Sequence, residues 1–172
     1  MHNAYARQAT VRAKGQHACS GFGQGGMAII QSVTSNGNNF MIGLECLAVA
    51  IFFEGRDQPL MGQYAIAEVV MNRVEDHRWP NTICGVVFDD KQFSFTHDGK
   101  SDKIENYTIN NQIEWAAALT ARAVALKVFE KDNSAMTSTH YHALSVRPSW
   151  IKHYKEDGRI GDHVFYTAPN GK

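Results

Sequence analysis

The sequence predicts a mainly α-helical domain carrying small β elements, an α+β arrangement. Three observations carry that expectation. Apolar residues recur at helical spacing in three stretches, residues 41–53, 59–74 and 110–130. Two-residue alternation is confined to short pieces, residues 139–143, 164–167 and the triplet Phe93-Ser94-Phe95. The chain has 172 residues, 44% of them hydrophobic and 20% charged, which suits one domain with a real core.

Residues 1–40 are rich in Gly, Ser, Asn and Gln and show no sustained period. They read as an arm, partly ordered at most, ahead of a domain spanning residues 41–172. In the first helix, Leu44, Leu47, Ala48, Ile51 and Phe52 mark one apolar stripe, and the pattern breaks at Gly55 and Pro59. Pro59 suits the first turn of a second helix, where its missing N–H costs nothing. That helix carries Ile66, Ala67, Val70, Met71 and Val74 on one broad face. Arg73 falls inside this apolar region and needs a partner, either a structural carboxylate or a group lining a site. Asn72 lies on the other side, with Glu68.

Trp79-Pro80-Asn81-Thr82 reads as a turn into a short apolar element, residues 83–88. A polar loop follows, and then the third helix, with Ile113, Ala117, Thr120, Ala121, Val124 and Val128 as its buried face. The C-terminal part is aromatic and irregular.

Composition excludes some classes. Seventeen basic and seventeen acidic side chains cancel, which disfavours a nucleic-acid binder. No apolar run approaches the roughly 18 residues of a membrane span. The three cysteines are widely spaced, and an odd count without CxxC pairs argues against a disulfide framework or a zinc ribbon. Cys46 and Cys84 read as small buried side chains. The first 30 residues lack the apolar run of a secretory leader, so the chain is expected to stay cytoplasmic until released.

Glu54 is the leading chemical candidate. At about 100° per residue it falls roughly 20° from Leu47, on the flank of the apolar stripe at the inner end of the first helix. Burial raises a carboxyl pKa, and an acid that keeps its proton near neutral pH can donate it. The plainer alternative is a helix-end Glu that reaches solvent or pairs with Arg56. Glu68 and Asp57 are nearby acids, and Glu68 suits a pairing with a cation. Gln92, Ser94 and Thr96 alternate with Phe93 and Phe95 and could bond a polar ligand while the rings pack inward. His140, Tyr141 and His142 form an HxH pattern whose imidazoles would share one strand face. With His163 they could hold a metal, although hydrogen-bonding histidines at a site edge are the commoner case. Trp150, Tyr154, Phe165 and Tyr166 could stack on a ligand or fill the core.

Several blocks resemble the SleB/CwlJ-type cell-wall hydrolases, which include spore cortex-lytic enzymes. They are Phe53-Glu54-Gly55-Arg56, Gly62-Gln63 and Ala67-Glu68-Val69-Val70-Met71-Asn72-Arg73-Val74. The resemblance continues through Trp79-Pro80-Asn81-Thr82-Ile83-Cys84-Gly85-Val86-Val87 and Gln92-Phe93-Ser94-Phe95. It resumes at His140-Tyr141-His142, Arg147-Pro148-Ser149-Trp150 and Ile160-Gly161-Asp162-His163-Val164-Phe165-Tyr166. It covers about residues 41–167, and the order and spacing of the blocks are what make it specific.

The resemblance implies a lysozyme-like, lytic transglycosylase-like domain that cleaves peptidoglycan between N-acetylmuramic acid and N-acetylglucosamine. Glu54 would be the single catalytic acid. Gln92, Ser94, Phe95, Thr96, His140, Tyr141, His142, Trp150 and Tyr166 are the substrate-binding candidates, with Arg56, Asn72 and Arg73 in support. No metal or cofactor is implied. The expected partner is peptidoglycan, with no nucleic acid, no membrane insertion and a monomeric state, as in a phage-type endolysin. One departure stands out. The family usually reads Glu-Ala-Arg-Gly-Glu, and here Glu54 is followed by Gly55-Arg56-Asp57-Gln58, which displaces the second acid by one position. The alternatives are a hydrolytic muramidase or glucosaminidase, a noncatalytic peptidoglycan-binding module, or a metal-dependent wall peptidase or amidase built on His140, His142 and His163.

Removal of residues 1–38 is expected to leave the domain folded, because they lack a periodic apolar face. A large drop in melting temperature on truncation would show that this segment packs into the core.

Overall fold

The structure is a computed structural model and describes residues 27–131 and 134–169, with side chains from residue 39 onward. Helix α1 spans Met27–Gly55. Its start at Met27 places part of the supposed arm in a helix, although residues 1–26 lie outside the described residues. Phe40 already packs edge-on against Phe129 at 5.0 Å, so packing side chains begin close to the truncation point. Helix α2 spans Leu60–Glu75, with the Pro59 carbonyl accepting from the Gly62 and Gln63 amides. Short α3, Ile83–Val87, is capped by the Thr82 hydroxyl, which accepts from the Gly85 amide at 3.1 Å. Helices α4, Glu105–Thr108, and α5, Gln112–Glu130, follow. The Asn111 side chain caps α5 by accepting from the Ile113 and Glu114 amides.

The core lies where α1, α2, α3 and α5 meet. Leu47, Ile51, Phe52, Ala67, Val70, Val86, Val124 and Val128 are almost fully enclosed there. The stripe expected on α1 and the apolar face expected on α2 both point into it. Ile113 does not, being 82% exposed. Its helical angle matches that of Val124, but the first buried residue of α5 is Ala118. The first turn of the helix therefore overshoots the core. Arg122 on α5 bonds both oxygens of Glu45 on α1, at 3.1 and 2.7 Å.

The C-terminal part forms a three-stranded antiparallel sheet in the order β1-β3-β2, with β1 His140–Ala143, β2 Lys155–Ile160 and β3 His163–Thr167. Strand β2 was not foreseen; its KEDGRI sequence is polar and contains a bulge at Glu156/Gly158. The sheet docks one face on α2, where Phe165 meets Ala65, Ile66 and Val69. Gly161 turns β2 into β3 with φ +59°, and a Cβ there would lie 2.5 Å from Gln58 Oε1. Glycine alone fits that turn, which lets the α1–α2 connection and the sheet touch.

The cysteine expectation is overturned. Cys46 on α1 and Cys84 on α3 form a disulfide, with their Cα atoms 5.2 Å apart. Both are half-buried, and the helices bring them together across 38 residues of sequence, a distance at which local spacing rules carry no signal. Closing a loop of 38 residues corresponds to about 3–4 kcal/mol of stability in the chain-entropy treatment. The double variant Cys46→Ser, Cys84→Ser is therefore expected to unfold at a clearly lower urea concentration than the oxidised protein. Equal midpoints would show that the bridge contributes nothing.

Candidate active site

Glu54 occupies the last turn of α1, where the helix meets α2 so closely that a Cβ on Gly55 would lie 2.8 Å from Ile66. Two hydroxyls and the Ser94 backbone amide address its carboxyl. The Tyr141 hydroxyl on β1 donates to Oε2 at 3.1 Å, and the Ser94 hydroxyl lies 3.5 Å from Oε1. Burial pushes the Glu54 pKa above its ordinary 4.5, against the pull of the Tyr141 and Ser94 bonds and the Arg73 charge. Of the plainer alternatives, pairing with Arg56 does not occur, while partial access to solvent does. Arg56 instead bonds Glu114 at 3.2 Å and covers the Phe52 ring.

Ser94 arrives by a route other than the one expected. Residues 94–97 form a 3₁₀ turn, not a strand. The Thr96 amide and hydroxyl both return to the Phe93 carbonyl and close the chain on itself, with no neighbouring strand to extend it. The alternation still works: Phe93 and Phe95 are buried and Ser94 is exposed. Phe95 stacks on Phe53 at 4.9 Å and so anchors Ser94 beside the end of α1.

Arg73 is 5% exposed, and its partner is not a carboxylate in contact. Its Nε donates to the Thr139 carbonyl at 2.7 Å, and its guanidinium lies 5.5 Å from both the Trp79 and Phe93 rings. Its Nη1 has no hydrogen-bond partner among the described residues. The charges of Glu54, Tyr141 and Asp89 act on it through space. Asn72 donates to the Met136 and Ser138 carbonyls, so two adjacent α2 residues strap the chain leading into β1. Glu68 bonds Lys131 at 3.1 Å and Ser134, as a cation-paired acid would. Asp57 is exposed. Gln58, in the slot of the displaced second acid, accepts from the Asp162 amide at 2.9 Å and ties the α1–α2 connection to the sheet.

The strand β1 divides the remaining candidates between two faces. Tyr141 faces inward, against Phe165 and His163. His140 and His142 face outward, as the HxH spacing predicts, into an aromatic cluster with Trp150, Tyr154 and Tyr166. His142 bonds the Tyr166 hydroxyl at 3.2 Å. Burial, helped by the Arg73 and Arg78 charges, lowers His140 to about 4, which leaves it neutral near pH 7. His140, His142, Trp150 and Tyr166 therefore surround one another and make no bond to Glu54. Among the described residues, the Gln92 and Thr96 side chains bond only their own loop, at Asp90 and at Phe93 and His97. His163 is on the inner face, apart from His140 and His142, and no group of three metal-ligating side chains occurs among the described residues. Tyr141, expected among the substrate-binding candidates, also contacts Glu54, which spacing along the chain did not reveal. Strand alternation gives only its direction, because a residue between two outward histidines must face the helices.

The end of α1 thus places a half-buried glutamic acid, its pKa raised by burial, beside a tyrosine and a serine. The Cell Wall Hydrolase model matches residues 57–166, most of the chain, beginning just after Glu54. The chain belongs to that family. It is 28% identical over 122 residues to a spore cortex-lytic enzyme of Bacillus cereus and 30% over 123 residues to one of Bacillus subtilis. Those matches cover 71% of this chain but 43% and 36% of the two enzymes, so it spans less than half the length of these relatives. Among solved structures, the catalytic domain of the germination-specific lytic transglycosylase SleB from Bacillus anthracis matches with TM-score 0.55 and 25% identity. That match covers 73% of this chain and 93% of the SleB chain, and supports the expected lysozyme-like architecture.

Burial of Glu54 also sets a stability signature. A carboxyl whose folded pKa is raised contributes stability that is full below its ordinary 4.5 and lost as pH rises through the folded value. Glu54→Gln removes that loss. The variant is expected to melt at the same temperature as the wild type in acid and above it once the wild-type carboxyl ionises. Melting curves from acid to neutral pH check this; a constant offset at every pH would show that burial does not govern the group.

Proposed function

We propose that this domain cleaves the glycan strands of peptidoglycan between N-acetylmuramic acid and N-acetylglucosamine, as a lytic transglycosylase with Glu54 as its acid and base. The observation that carries the reading is the Glu54 carboxyl, whose pKa burial raises and which is bonded by neutral groups rather than by a cation. Its family and the likeness to the SleB catalytic domain support the substrate class.

The chemistry follows from one carboxyl. Glu54 gives its proton to the glycosidic oxygen as the bond to the muramic anomeric carbon breaks. The N-acetyl carbonyl oxygen of the same sugar closes onto that carbon and carries the positive charge. Glu54, now a carboxylate, takes the proton of the 6-hydroxyl, whose oxygen attacks the anomeric carbon and releases the N-acetyl group. The product is a 1,6-anhydro ring; Glu54 is protonated again and no water is consumed. Attack within one sugar has the advantage of high effective concentration. A hydrolytic route needs a second acid to hold water. Glu68 is engaged by Lys131, and Gln58 occupies the slot of the family's second acid, which favours the anhydro product.

A disulfide is at home in an oxidising compartment, so we place the working site outside the reducing cytosol.

Glu54→Gln keeps the shape of the side chain but has no proton to deliver. Lysis of purified sacculi is expected to fall by roughly 10² to 10⁴, the usual contribution of a positioned acid. Retention of more than about a tenth of wild-type turnover would remove Glu54 from the role. Fragments weighed without borohydride treatment are expected to end in 1,6-anhydro-muramic acid. Reducing muramic ends would mean a muramidase, and reducing glucosamine ends a glucosaminidase.

A further inference from the structure

The two oxygens of the Glu54 carboxyl are not equivalent. Oε2 faces the Tyr141 hydroxyl, whose residue packs against His163 at 5.0 Å and Phe165 at 5.6 Å. Among the described residues, that hydroxyl has Glu54 as its one hydrogen-bond partner. A buried hydroxyl proton with a single acceptor stays on that acceptor. Oε2 is therefore an acceptor whether Glu54 is ionised or not, and the acid proton belongs on Oε1. That oxygen faces exposed Ser94 across 3.5 Å, a bond long enough to be replaced easily by a substrate oxygen.

We propose that Tyr141 is a positioning residue which fixes the transferable proton of Glu54 on Oε1, toward the Ser94 side where the glycosidic oxygen would enter. This rests on the glycan-cleaving role of Glu54.

The groups that face the pair from each neighbouring element are few. Arg73 on α2 acts on both Glu54 and Tyr141, and Asp89 in turn acts on Arg73. His163 on β3 meets the Tyr141 ring, and burial lowers its pKa, which favours the neutral imidazole. Ser94 contributes a neutral hydroxyl and its backbone amide, both of which favour the carboxylate. Tyr141 itself is pushed well above its ordinary 10 by burial, with the nearby Glu54 charge adding to the shift, so it remains a donor throughout the working range. Its bond favours the carboxylate and holds the Glu54 pKa below the value that burial alone would set.

The test is Tyr141→Phe in the full chain, read first without substrate. The Glu54 carboxyl carbon is followed by ¹³C NMR, its signal assigned by its absence from Glu54→Gln. Its titration midpoint is expected to rise by roughly half a pH unit or more. With soluble glycan strands, the alkaline limb of the pH–rate profile is expected to move up in parallel. We expect kcat to fall about tenfold, with KM and melting temperature little changed. An unmoved midpoint overturns the proposal. So does a raised KM with an unmoved alkaline limb, the mark of a substrate contact. If the Phe variant does not fold, 3,5-difluorotyrosine at position 141 keeps the shape and strengthens the donor, and the midpoint must then fall. A shift in the midpoint alongside an active Glu54→Gln variant would separate the two readings, sinking the catalytic role while leaving the hydrogen bond in place.

Discussion

A carboxyl group enclosed at the end of α1 is the constraint around which this molecule is arranged. Burial opposes its ionisation, and its shorter side-chain hydrogen bond comes from Tyr141, 87 residues further along the chain. For that bond to form, the sheet has to dock on α2. Phe165 seats it on Ala65, Ile66 and Val69, while Asn72 and Arg73 hold the segment leading into β1 by its carbonyls. The Gln58 bond to the Asp162 amide joins the other end of the sheet to the α1–α2 connection. These contacts leave β1 little freedom to slide, and a shift of one residue would turn Tyr141 away from Glu54 and bring a histidine in its place.

The handling of Arg73 follows the same logic. A guanidinium in direct contact with Glu54 would hold it ionised and unable to donate. Here the cation is held by the Thr139 carbonyl and two ring faces, and reaches Glu54 only through space. A charge at that remove favours the carboxylate only weakly before proton transfer and remains available to steady it afterwards. The placement suits a group that alternates between acid and base in one reaction cycle.

The outer face of the sheet has a separate character. His140, His142, Trp150, Tyr154 and Tyr166 pack ring against ring, and His140 is kept neutral by burial beside Arg73 and Arg78. Their nearness in sequence to Tyr141 suggested a single binding strip. Strand geometry separates them, because neighbours along a strand point to opposite sides.

Much of the framework was legible in the sequence because helical periodicity is a local property. The stripe on α1, the face of α2, the core of α5 from Ala121 onward and the position of Glu54 on the flank of its stripe all follow from residue spacing. The HxH reading also gave the shared face of His140 and His142. What depended on distant parts of the chain was not legible. The Cys46–Cys84 bridge, the aromatic cradle of Arg73, the pairing of polar β2 and the exposure of Ile113 are each decided by which elements meet. The same holds for the acid itself. The place of Glu54 on its stripe was written in the chain, but its ionisation depends on burial and on a hydroxyl from another element, and both exist only after the sheet has closed on the helices.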